Sequence, residues 1–182
     1  MLATAIAVKA VARQVFRKAP QNPVLPEPIA LDTGKQYSLI AGGQGDVSIV
    51  GDLLIYSVEE VRGRLDCGLE GVSTDASPDR FRGIRIFDIS DLNRPRQVGA
   101  VQTCRGSHTH SVVSGPDEDG KILVYNSGTG SVREEEELEK CIEDIPGDDR
   151  TALFRIDVIE IPVTDPSQAR IIDSPAVFAD PE

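Results

Sequence analysis

From Ile40 onward the chain is a succession of short apolar runs separated by Gly, Asp, Asn and Pro. Runs of that length between turn-forming residues predict strands rather than helices. Four runs, 45–50, 53–58, 83–89 and 96–101, form a first group. The first two are joined by Gly51-Asp52, a pair suited to a tight hairpin. The same order recurs at 108–113, 121–127, 153–159 and 170–177, with Asp119-Gly120 ahead of the second run and Pro175 marking an edge in the last. Four strands per unit, used twice, predict an all-β fold of two four-stranded antiparallel propeller-type blades, a partial propeller. The first blade takes 40–103 and the second 104–182; a generic β-sandwich fits the same strand lengths.

The residues before Ile40 follow another pattern. Over 1–19 a helix would carry Val8, Val11 and Val15 on one face and Lys9, Arg13 and Arg17 on another, with Lys18 adding charge and no acid present. This predicts a basic leader, helical or disordered, similar to a targeting or surface helix. Pro20, Pro23, Pro26 and Pro28 then deny helix continuation, so 20–39 reads as a linker. No apolar stretch reaches the roughly 20 residues that span a bilayer as a helix.

Composition sharpens this picture. Aromatic residues make up only 4% of the chain and Trp is absent, so Val, Ile and Leu must fill the core, which favours strands. The net charge of -11 opposes binding to nucleic-acid backbones and favours solubility. In each unit the second and third strands are separated by a long polar insertion, and insertions of that length commonly carry recognition.

Candidate chemistry is sparse. His108 and His110 are the only histidines, and an i, i+2 pair on a strand projects to one face, giving half of a divalent-metal site that other blades could complete. Asp46 and Arg105 are possible neighbours. In the first unit Gly45 and Val47 stand where the second has the two histidines, so the pair is not repeated. Repeat symmetry puts Cys104 at the start of the second unit and Cys67 and Cys141 in the two insertions. This predicts a Cys104–Cys141 disulfide, with a Cys67–Cys104 bond or three reduced thiols as alternatives. The charge run 133–140 reads as a solvated short helix or mobile surface. The glycines of 42–45 are not followed by the Lys-Ser/Thr of a phosphate loop.

Phe87-Asp88-Ile89-Ser90-Asp91 with Arg94-Pro95 resembles the LVIVD-repeat family of bacterial β-propellers, and 42–47 and 104–110 add to the likeness. The resemblance spans about two repeats. It implies a secreted or cell-envelope propeller of unassigned activity, and two blades would need further blades or another chain to close a ring. The expected role is a non-catalytic scaffold or binding surface for an unidentified protein or small ligand, without nucleic acid. The alternative is a metal-dependent propeller enzyme using channel-facing His108 and His110.

Overall fold

The computed structural model describes residues 46–59, 61–68, 70–73, 76–143, 145 and 150–177, together with the backbone of two short strands nearer the N-terminus. The expected leader over 1–19 and the glycines of 42–45 lie outside the described residues. Within the stretch read as a linker, β1 (Ile29–Ala30) pairs antiparallel with β2 (Gln36–Tyr37).

Eight further strands form two four-stranded antiparallel sheets. The first contains β3 (Val47–Val50), β4 (Leu53–Val58), β5 (Gly83–Asp88) and β6 (Arg96–Gln102), in that order. The second contains β7 (Thr109–Ser114), β8 (Lys121–Ser127), β9 (Asp157–Pro162) and β10 (Arg170–Asp173), again in chain order. The predicted pair of four-stranded antiparallel sheets is therefore present, and the two sheets do not close a ring. Among the described residues no helix is long and apolar enough to cross a membrane.

Local chemistry explains the turns. Gly51 supplies the positive φ of the β3–β4 hairpin, where Val50 pairs with Leu53. After β5 the chain is bent by two Asx turns: Asp88 Oδ1 accepts from the Ser90 amide at 2.9 Å and Asp91 Oδ1 from the Asn93 amide at 2.9 Å. The Ser90 amide and hydroxyl, helped by Arg96 at 2.6 Å, pull the Asp88 pKa down to about 2. The second sheet repeats the device, since Asp165 caps the 3-10 turn Pro166–Gln168 just before β10.

The third strand of the second sheet differs from expectation. It runs over Asp157–Pro162, four residues beyond the predicted start. Phe154 has a positive φ, and Arg155 donates to the carbonyls of Thr151 and Ser174, each at 2.5 Å. These bonds hold 153–156 in a bend that only then releases the chain into the sheet. The final strand is correspondingly short, with an isolated bridge from Arg155 to Ala176 in place of continued pairing.

The sheets pack face to face. β3 lies beside β7, while β6 meets the turn Pro166–Gln168. Leu53, Ile55, Ile84, Ile86 and Val101 from the first sheet form one core with Ile122, Val124, Ile159 and Ile161 from the second. Each fully buried isoleucine contributes about 1.5–3 kcal/mol. The other face of the first sheet buries Leu54, Tyr56, Val58, Phe81 and Phe87, so β4 is buried along its whole length. Arg85 sits over the Phe81 ring at 3.9 Å and donates to Gln97 Oε1 at 2.8 Å, which allows a cation inside this layer.

Candidate functional site

The insertions that leave the two sheets are joined to each other. Glu137 accepts from both Arg80 and Arg133, and also from the Ser77 amide at 3.2 Å. Arg80 and Ser77 belong to the first insertion, Arg133 and Glu137 to the second. Arg133 further donates to Gln102 Oε1 at 2.7 Å and to the Arg80 carbonyl at 3.0 Å. This corrects the expectation for 133–140: Glu134, Glu135 and Glu136 are solvent-exposed, but Arg133 and Glu137 are buried, and the segment forms turns rather than a helix. The i, i+4 spacing of Arg133 and Glu137 was a visible signal. Nothing in sequence singled out Arg80 as the third member.

A disulfide between Cys104 and Cys141, with Cα atoms 5.2 Å apart, ties the second insertion to the segment linking the sheets. Cys67 is free and half-buried, its Sγ 3.6 Å from Gln97 Oε1. The Arg133 amide donates to the Cys104 carbonyl at 3.0 Å, so covalent and hydrogen bonds fix the insertion at adjoining points.

Beside the disulfide lies a cavity of about 730 Å3, lined by residues that include Arg105, Leu138, Ile142, Ala152, Asp157 and Ile171. That volume is within the range of small-molecule sites. Its floor is polar. Asp157 accepts from Ser174 Oγ at 2.8 Å and from Asn126 Nδ2 at 3.3 Å, and burial pushes its carboxyl pKa up against the lowering effect of these bonds. Arg105 spends its donors on the carbonyls of Gly130 at 2.9 Å and Thr129 at 3.3 Å.

The two histidines occupy the seam between the sheets, and both reach the same end of β4. His110 Nδ1 is 2.7 Å from Ser57 Oγ, which is itself 2.6 Å from Ser107 Oγ. All three residues are buried, His110 being only 4% exposed. Burial lowers the His110 pKa, partly offset by the charge of Asp46, and its Nε2 has no hydrogen-bond partner. His108 is exposed and pairs with Glu59, Nδ1 to Oε2 at 2.8 Å.

Glu59 also accepts from the Thr129 amide at 2.6 Å, Thr129 Oγ1 at 2.9 Å and the Gly130 amide at 2.9 Å. Partial burial works against its ionisation, yet these bonds and His108 hold its pKa below the usual range. Each imidazole therefore has a protein partner on its Nδ1. Among the described residues no group of three or more His, Cys, Asp or Glu is placed to hold a metal ion. Of the expected neighbours, Asp46 acts on His110 through its charge, while Arg105 belongs to the cavity beside the disulfide.

No protein-family model, no curated protein and no solved structure matches this chain.

Proposed function

We propose that this protein is a non-catalytic binding module whose two sheets act as a scaffold and whose joined insertions form the recognition face. The cavity of about 730 Å3 carries this reading: it is built chiefly from the second insertion, and the Cys104–Cys141 bond secures one wall. Leu138, Ile142, Ala152 and Ile171 supply apolar surface, and Asp157 supplies a largely enclosed hydrogen-bonding group. Apolar surface set among charged and polar groups, Arg105, Glu135, Arg155 and Asp157 among them, suits a small polar organic ligand. The resemblance to LVIVD-repeat propellers and the presence of a disulfide support an extracytoplasmic setting, where such a bond persists.

Ligand-observed NMR against a library of small organic molecules tests the assignment, with Ala152→Trp filling the cavity. The expected result is saturable binding that Ala152→Trp removes while the unfolding midpoint stays within a few degrees. Ligands that bind equally to both forms would overturn it. Stoichiometric metal in the purified protein, lost when His108 and His110 are both replaced by Ala, would instead favour the metal-dependent enzyme.

A further inference from the structure

A second cavity, of about 400 Å3, opens where the two insertions meet, and its lining is unusual for so acidic a chain. Arg62, Arg80, Arg82 and Arg133 line it against the carboxylates of Glu134 and Glu137, four positive charges against two. Glu137 is already held between Arg80 and Arg133.

Arg82 is the decisive residue. It is buried, 3% exposed, and donates only to backbone carbonyls, Ser131 O at 3.1 Å and Arg105 O at 3.2 Å. Its Nε has no hydrogen-bond partner. Among the described residues no carboxylate lies within ion-pair distance of it. Burial, followed by the charge of Arg133, depresses its pKa against the raising effect of Glu59 and Glu137, the response of a desolvated cation whose nearby carboxylates do not fully compensate it. Neutral carbonyl acceptors do not cancel a buried charge, so a counter-ion is favoured here. Space for Arg82 is reserved by the backbone: a Cβ on Gly130 would lie 1.7 Å from its Nη2.

We propose that this cavity binds the phosphoryl group of a small organic phosphate monoester. The guanidinium groups that line the cavity suit the tetrahedral oxygens of a phosphoryl dianion. Val61, Val72 and Val132, which also line the cavity, would flank the organic part, for which about 400 Å3 leaves room beyond the phosphoryl group. The site is separate from the cavity beside the disulfide.

Calorimetric titration of the full chain at low ionic strength tests this, using phenyl phosphate at about pH 8, where the monoester is fully dianionic. Phenyl sulfate, with one charge on a similar frame, and benzoate are the comparison probes. Saturable binding of phenyl phosphate is expected, at least about tenfold tighter than either comparison probe, because a guanidinium-lined site gains from the second charge. Ser131→Glu, at an exposed lining position, should weaken binding by about tenfold or more through like charge.

Arg62→Gln, also at an exposed position, should weaken binding several-fold, and Arg82→Gln should abolish it. If Arg82→Gln fails to fold, the two exposed variants decide the matter. Ala152→Trp should leave phenyl phosphate binding unchanged. Absence of saturable binding by the folded wild type, equal affinity for phenyl sulfate or benzoate, or indifference to Ser131→Glu would each overturn the proposal.

Discussion

Ser57 and His110 meet across the seam between the two sheets, Oγ to Nδ1 at 2.7 Å, with no exposed surface on Ser57 and almost none on His110. Ser57 lies near the end of β4, and His110 is paired in β7 with Asn126 of β8. The bond thus locks one sheet to the other at the end of a shared apolar core. Ser107, placed by its amide bond to the Val58 carbonyl at 3.1 Å, completes a small polar cluster that specifies the alignment of the sheets.

Burial of His110 has a pH consequence. Its folded pKa lies below the ordinary value, so the unfolded chain takes up a proton that the folded protein resists. Stability from this group is complete above about pH 6.5 and is lost as pH falls from there toward the depressed folded value. Urea unfolding should show a loss approaching about 1.4 kcal/mol per pH unit within that window, the limit for one proton. His110→Asn can retain a contact to Ser57 without titrating, and should flatten the dependence. An unchanged slope in that variant would contradict the assignment.

Glu137 holds two arginines from different insertions, and its side chain is only 1% exposed. Replacing it with Ala leaves both guanidinium groups in a desolvated region without their shared partner. Removing one member of a buried ionic cluster costs about 3–5 kcal/mol. Glu137→Ala should lower unfolding stability by about 3 kcal/mol or more, and limited proteolysis should then cut first within the insertions. Stability within about 0.5 kcal/mol of wild type would show that the cluster is solvated in solution.

The strand inventory was legible in sequence because Gly, Asp and Pro punctuate it, and six of the eight main-sheet strands lie close to where the pattern predicted them, while β10 ends at Asp173, short of the expected 177. β9 starts inside a largely alternating stretch that begins at Leu153. Alternation alone gives that stretch no boundary; the bend at Phe154 and the Arg155 bonds set it. Which face meets which was also hidden. Ile55 and Ser57 align in the sequence repeat with Val124 and Asn126; in the structure Ile55 and Val124 enter one core, and Ser57 meets His110, the strand-pairing partner of Asn126. A run such as Leu53–Val58, apolar on both faces, carries no sign of that choice. The buried arginines of the insertions were hidden for another reason: a charged residue in a polar segment reads as solvated until its partner is known.

Gly99 reports on how closely the sheets approach. A Cβ there would sit 2.2 Å from the Pro166 carbonyl and 3.1 Å from Ile86 Cδ1. The first neighbour is backbone in the turn before β10, and cannot turn aside as a side chain would. Gly99→Ala must therefore separate β6 from that turn, with an expected cost of about 1–3 kcal/mol. A thermal midpoint unchanged within error would show that the turn yields freely.

The cysteine arrangement makes a prediction that separates chemical state from stability. Cys104 and Cys141 close a loop with a sequence separation of 37, while Cys67 remains a thiol. Native, non-reduced protein should consequently accept one alkyl group per chain, at Cys67, and three after reduction and unfolding. Peptide mapping without reduction should recover Cys104 joined to Cys141. On the loop-entropy account, opening a loop of this size costs about 3–4 kcal/mol. The paired Cys104→Ser, Cys141→Ser variant should lose approximately that stability, and ligand binding in the adjacent cavity should weaken with it, because one wall loses its covalent anchor. Wild-type stability in the paired variant would mean that Glu137 and its arginines hold the insertion unaided, and recovery of Cys67 in a bond with Cys104 would refute the arrangement itself.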